Sequence, residues 1–169
     1  MKGNSIIRKM IESDTEHLSQ GFINQGWPGR EEILARYFLE QECGERGVLV
    51  AEVGGALAGY ITILPCAKQG PFAEIYPELS DFNVFEPFQN QGIGNLLLEE
   101  AEKRVRLISD KVTLGVGLHS GYGTAQRLYV KRGYLPDGSG VWYRNHPVAM
   151  NATCEDIGDL VLYLSKDLI

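Results

Sequence analysis

The sequence predicts an α/β domain built on a mixed sheet. Short β-branched apolar runs, such as residues 48–53 and 56–64, alternate with segments of helical period. Gly54-Gly55 separates those two runs and reads as a two-residue hairpin turn. A third run, residues 79–85, passes through a polar turn containing Gly92 and Gly94 directly into a long amphipathic stretch. At 169 residues, one domain spanning residues 1–169 is the simplest organisation.

Each element has a local cause. Residues 5–10 are a short apolar strand. Ser13-Asp14-Thr15-Glu16 has the capping-box form, with Ser13 as cap and Glu16 reaching back, and predicts a helix to about Asn24 that buries Leu18, Phe22 and Ile23. Gln25-Gly26-Trp27-Pro28-Gly29 breaks it. A second helix over residues 30–43 places Ile33, Leu34, Tyr37 and Phe38 on one stripe, and Gly44 terminates it. Pro65 ends the strand 56–64, and residues 66–77, with two prolines and a glycine, form a loop.

The helix that follows the glycine turn buries Ile93, Leu96, Leu97, Ala101, Val105 and Ile108 by its period. Its wet face carries the i,i+4 pairs Glu99–Lys103, Glu100–Arg104 and Glu102–Arg106. Residues 112–118 are the next strand, and residues 124–132 a shorter helix stopped by Gly133. Residues 136–140 are a turn, with strands at 141–144 and 160–164.

Composition narrows the function. A net charge of −6 gives no support to nucleic-acid binding, which leaves a basic footprint. The longest apolar stretch, residues 56–64, is far short of a membrane span, and residues 1–8 carry no cleavable leader pattern. Cys43, Cys66 and Cys154 are odd in number and lack a paired metal spacing, so they read as reduced thiols of a cytoplasmic protein without a metal.

The chemistry concentrates in Gln89-Asn90-Gln91-Gly92-Ile93-Gly94-Asn95. Glycine allows close backbone approach and positive φ, and the first helical turn presents N–H groups and the positive end of the macrodipole. Those features suit an anion such as a pyrophosphate, and the three amide side chains add polarity without negative charge. A Walker loop requires Gly-Lys-Ser/Thr, whereas Asn95 and Leu96 follow Gly94. A dinucleotide fingerprint requires a small residue where Leu97 stands.

Gln89-x-x-Gly92-x-Gly94 resembles the acyl-CoA loop, Q/R-x-x-G-x-G/A, of the GNAT superfamily of N-acyltransferases. Ala125-Gln126-Arg127-Leu128-Tyr129-Val130-Lys131-Arg132-Gly133-Tyr134 is similar to that family's later A-x-x-L-Y-x-x-x-G-F/Y segment. With the order of elements, the resemblance covers roughly residues 5–134. It implies a GNAT-like fold: a mixed, mostly antiparallel central sheet flanked by helices, with the fourth and fifth strands splayed around the pantetheine arm.

The same resemblance implies transfer of an acetyl group from acetyl-CoA to an amine-bearing small molecule or peptide, with no nucleic acid, membrane or metal involved. Homodimers are common in the family, though no residue here marks an interface. Gln89, Asn90, Gln91, Gly92, Ile93, Gly94 and Asn95 correspond to the cofactor loop, and Val84 to a backbone partner of pantetheine. Tyr129 falls where the family carries a phenol beside the CoA sulfur, a general acid toward the leaving thiolate.

Glu78 stands eleven residues before Gln89, where some members carry the base. Asp81, His119, with His17 and His146 behind it, and ordered water remain alternatives. Ser80, at the other position used by the family, cannot act as a base. Tyr122 replaces the asparagine common three residues before Ala125 and is expected to line the cleft or pack. Trp27 with the adjoining Pro28, and Trp142 with Tyr143, supply the aromatic candidates for acceptor recognition, and Glu74, Glu78 and Asp81 would give a cleft a negative lining. Two rivals remain: a non-catalytic acyl-CoA sensor on this fold and a nicotinamide-binding oxidoreductase.

Overall fold

The computed structural model describes residues 4–169, so the first three residues of the amino-terminal stretch read for a leader lie outside the described residues. Among the described residues, eight strands and four α-helices follow as strand, two helices, three strands, helix, strand, helix and three strands. The strands form one sheet in the order β1-β2-β3-β4-β5-β8-β6-β7, in which β4 and β5 are parallel. The chain divides into two compact units, Met1–Pro65 with Ser80–Arg104 and Cys66–Leu79 with Val105–Ile169.

The first unit contains β1 (Ser5–Lys9), α1 (Asp14–Asn24), α2 (Glu31–Glu42), β2 (Gly47–Val53) and β3 (Ala56–Leu64). It also holds most of β4 (Glu78–Val84) and of α3 (Ile93–Val105). The β2–β3 hairpin turns on Gly54 and Gly55 at φ 58° and 85°, the left-handed pair that a twisted two-residue hairpin requires. Apolar residues of α1 and α2 meet the β-branched face of the sheet. Leu18, Phe22, Leu34, Tyr37, Val48, Val50, Tyr60 and Phe85 form the core, with Phe22 edge-on to both Tyr60 and Phe85.

Two expectations for the helices are corrected. Ser13 already has helical backbone angles and its side chain makes no cap hydrogen bond. The connection into the helix is fixed by Asp14 instead: its carboxylate accepts the N–H of Ile11, ahead of the helix, at 2.9 Å and a two-pronged bond from Arg8 at 2.7 and 2.9 Å. A buried carboxylate needs such partners, and a capping box read from four consecutive residues cannot include an arginine from the preceding strand. Ile23, expected inside, is 49% exposed.

In α3 the buried arc holds Ile93, Leu97, Leu98, Ala101, Glu102 and Val105, while Leu96 and Ile108 are exposed. The helix stops at Val105, so Ile108 lies off its repeat, and the arc centres on Ala101 rather than Leu96. Glu99–Lys103 and Glu100–Arg104 pair at 2.9 and 3.2 Å as expected; Glu102, placed on the wet face by its sequence spacing, is 5% exposed.

β3 and β4 approach unusually closely. A Cβ on Gly59 would stand 2.2 Å from the Asn83 carbonyl oxygen and 2.9 Å from Val84 Cα. No side chain fits there without moving β4.

The second unit contains the first two residues of β4, then β5 (Lys111–Gly117), α4 (Gly123–Lys131), β6 (Leu135–Tyr143), β7 (His146–Pro147) and β8 (Leu160–Asp167). β4 and β5 pair through Glu78↔Thr113 and Leu79↔Leu114. Alternation along β5 buries Val112, Leu114 and Val116 on one face. On the other face Gly115 and Gly117 carry no side chain, and the rings of Tyr163 and Tyr122 lie in the space a Cβ would enter.

β6 is longer than the expected 141–144. The Pro136-Asp137-Gly138-Ser139-Gly140 turn sits inside it as an irregularity, where pairing with β8 shifts between Pro136 and Val141. The two-residue β7 carried no strand signal.

Replacing Gly59 with alanine is expected to cost about 1 to 3 kcal/mol of stability by overpacking. Gly123→Ala, where a Cβ meets nothing within 4 Å, is the control. Urea unfolding of the two variants measures the difference; equal midpoints would mean that β4 does not press on Gly59.

Candidate active site

The polar turn is built from Phe85 onward. Pro87 fixes a short 3-10 turn, Glu86–Phe88, and Gln89 returns to an extended conformation. Asn90 and Gly92 then take φ of 60° and 87°, the left-handed steps that bring the chain round to Ile93 and α3. Gly92 supplies the carbonyl for the helical bond from the Leu96 N–H at 3.1 Å, so the amides of Ile93 and Gly94 head the helix.

Four features make this turn receptive to an anion. The first turn of α3 carries no acidic side chain, and Lys103 and Arg104 close its far end. Space is open where a Gly92 side chain would project. Residues 89–92 and Asn95 are exposed. A helix of 13 residues presents nearly its full macrodipole there.

The amide side chains have another task. Gln89 donates to the Val84 carbonyl at 2.9 Å and Gln91 to the Pro87 carbonyl at 2.8 Å. They stiffen the turn from within, which leaves its main chain to face a ligand. The same bond brings two candidate residues, Gln89 and Val84, together; a carbonyl has a second lone pair for another donor.

In the second unit Tyr129, on α4, is 7% exposed and stands edge-on to Tyr134 at 5.8 Å. Burial pushes its phenol well above the ordinary range, so it keeps its proton at any physiological pH. Glu78 is half-buried at the start of β4, opposite Thr113. Burial, then the charge of Glu78, raises the Tyr163 phenol. Thr113 holds the neighbouring Pro77 carbonyl through both its N–H and its hydroxyl, at 3.0 and 2.8 Å.

Other candidates have structural partners. His119 accepts the Gly121 N–H on Nδ1 at 3.0 Å, capping the short turn Ser120–Tyr122. Tyr122 packs over Gly117, 42% exposed. Trp142 stacks edge-on against Tyr163 at 5.7 Å, whereas Trp27 is 62% exposed. Asp81, in the first unit, accepts a fork from Arg30 at 2.9 and 2.7 Å and a bond from Asn83 at 2.9 Å, so its oxygens are already committed. Nothing in the sequence joins Arg30 to Asp81, which lie 51 residues apart. Among the described residues no group of three or more His, Cys, Asp or Glu could hold a metal ion, and no helix is long and apolar enough to cross a membrane.

Stability should report the buried phenols. In the unfolded chain tyrosines ionise near pH 10. Tyr37, Tyr60, Tyr129 and Tyr163 are all raised in the folded protein, chiefly by burial. Their contribution is therefore full below about pH 10 and is lost as pH climbs beyond it. Urea midpoints should fall between about pH 9 and pH 11, and less steeply in Tyr129→Phe; a flat profile would place these phenols in water.

Comparison with known proteins agrees with the architecture. No curated protein sequence matches the chain. An N-acetyltransferase from Staphylococcus aureus Mu50 superposes with a TM-score of 0.74 at 15% identity, over 98% of this chain and 99% of that one. A ribosomal-protein-alanine N-acetyltransferase from Brucella melitensis gives 0.70 at 21%, over 96% and 99%. A Salmonella typhimurium protein described as an acetyltransferase, solved with its cofactor acetyl-CoA, gives 0.69 at 18%, over 98% and 94%. The family profile described as "Acetyltransferase (GNAT) family" matches residues 13–134. That match takes in the glycine turn, α3 and the Tyr129 helix, and the chain belongs to the GNAT acetyltransferase family.

Proposed function

We propose that this protein is an N-acetyltransferase that moves the acetyl group of acetyl-CoA directly to a primary amine of a small molecule or peptide within a ternary complex. The observation that carries the reading is the turn at residues 89–95. Its left-handed Gly92, its open face and an acid-free helix start fit a pyrophosphate group. Acetyl-CoA supplies the activated thioester; the protein's part is binding, alignment and proton handling.

In this reading Gln89, Asn90, Gln91, Gly92, Ile93, Gly94 and Asn95 hold the pyrophosphate through the main chain, and Val84 offers backbone to pantetheine. Glu78 takes a proton from the acceptor's ammonium, directly or through water, and the neutral amine then attacks the thioester carbonyl. Tyr129 donates to the departing sulfur. Its raised phenol is a weaker acid than a thiol of ordinary pKa near 8.5, so its contribution is a hydrogen bond that steadies the thiolate rather than complete proton transfer. The remaining acceleration comes from holding amine and thioester in line.

Thiol release from acetyl-CoA across an amine library tests the activity. An acyl-CoA sensor would raise its melting temperature with acetyl-CoA yet release no thiol above background with any amine. An oxidoreductase would be stabilised by NAD instead. Tyr129→Phe should lower kcat by about 100-fold while changing acetyl-CoA affinity by less than about threefold; unchanged turnover refutes its role. Glu78→Gln should remove the acidic limb of the kcat/KM profile, and a limb that persists assigns the base elsewhere.

A further inference from the structure

Within the first unit, a polar cluster passes through the core that joins α2, β3 and β4. Arg30, the residue before α2, reaches across to β4 and forks onto both oxygens of Asp81 at 2.9 and 2.7 Å. The same guanidinium donates to the Tyr60 hydroxyl and lies 5.1 Å over the Phe22 ring. Its main-chain N–H is held by Ser19 Oγ at 2.9 Å. Asn83 completes the set, donating to Asp81 at 2.9 Å and to Tyr60 at 3.3 Å. Both charged side chains are mostly covered, at 25% and 16% exposure.

Asp81 has φ of 45°, a left-handed residue in the middle of an extended strand. Such a conformation is unfavourable for a residue with a side chain and persists where its surroundings over-determine it. Here they do. The preceding Ser80 carbonyl accepts the Thr62 hydroxyl at 2.8 Å, and Thr62 is in turn held by Arg46 at 2.8 Å. Beyond Asp81, the Asn83 carbonyl presses on Gly59, the Val84 carbonyl is bound by Gln89, and the Phe85 N–H bonds to Ala58. A left-handed step turns the peptide planes that follow it, so the direction of the main chain from Phe82 to Val84 depends on keeping Asp81 where it is.

We propose that Arg30 is a positioning residue for acetyl transfer: its fork onto Asp81 holds β4 in the left-handed step that sets the main chain at Phe82, Asn83 and Val84. The inference rests on the function proposed above, in which that stretch receives the thioester arm. A fork fixes direction as well as distance, and a lysine at position 30 would supply charge without that geometry. Arg30 itself touches neither substrate in this scheme. It acts on the strand that aligns them.

The test compares wild type with Arg30→Lys and Asp81→Asn, each checked for cooperative urea unfolding. Asparagine tolerates the left-handed conformation but loses the charged fork. In the thiol-release assay Arg30→Lys should lower kcat by about 10- to 100-fold, with KM for acetyl-CoA within about threefold, because the turn at residues 89–95 is untouched. Hydrogen exchange supplies a readout that needs no activity. Amides of Phe82, Asn83 and Val84 should exchange at least about tenfold faster in Arg30→Lys, with α3 unchanged.

Asp81→Asn, which leaves the Arg30 guanidinium without its counter-charge, should shift both measurements in the same direction as Arg30→Lys. Wild-type kcat in Arg30→Lys, or unchanged exchange at residues 82–84, overturns the inference. A rise in exchange spread over the whole unit also overturns it, since that is the signature of general stabilisation. If wild type releases no thiol with any amine, the proposed acetyltransferase function fails; the exchange data then still decide whether Arg30 holds β4.

Discussion

A guanidinium that leaves water must find its compensation in one place, and in this protein Arg30 finds it on Asp81. Removing either charge from solvent is costly, so the pair is stable only with its geometry and remaining hydrogen bonds satisfied. Tyr60 and Asn83 provide those bonds, and the Phe22 ring covers the flat face. The arrangement ties the start of α2, the middle of β3 and the middle of β4 to a common point. Apolar packing of Leu18, Leu34, Val48 and Val50 holds the helices to the sheet but is indifferent to small shifts along it. The fork is directional and removes that freedom.

From that fixed point the chain runs a short course to the glycine turn. Val84, Phe85 and Gln89 are linked by hydrogen bonds to their own neighbourhood, and Pro87 limits the turn further. A loop that must bind through main-chain amides gains from being shaped before its ligand arrives, since ordering it during binding would cost affinity. The side chains of Gln89 and Gln91 do that shaping. Both were expected among the polar residues of the ligand loop, and in the structure their amide nitrogens also bond the Val84 and Pro87 carbonyls.

Proton handling follows from burial in a similar way. Tyr129 is a phenol enclosed by protein, so its neutral form is favoured and it remains a donor across the working pH range. In the proposed reaction such a donor would face the sulfur on which negative charge appears. Of the other titratable candidates, His119 caps a turn and Asp81 is bound by arginine, so each already has a structural task.

What the sequence determined by itself is whatever depends on neighbours a few positions apart. The hairpin at Gly54-Gly55, the helices α1 and α2, the turn into α3 and the stop at Gly133 follow from backbone preference and short-period burial, and each appears within a residue or two of its expected place. The motif pair around Gly92 and Tyr129 was legible as a family resemblance, and the family match over residues 13–134 takes in both. Tertiary structure decided what depends on partners far along the chain. Asp14 rather than Ser13 fixes the entry to α1 because Arg8 arrives from β1; α3 buries Leu98 and Glu102 instead of Leu96 because its packing sets its rotation; and two residues, His146 and Pro147, become a strand only because Tyr143 and Trp142 lie opposite them. Arg30 and Asp81 belong to that second group, since the energy of a charge pair depends on distance and solvent in space, and the order of residues specifies neither until the chain has folded.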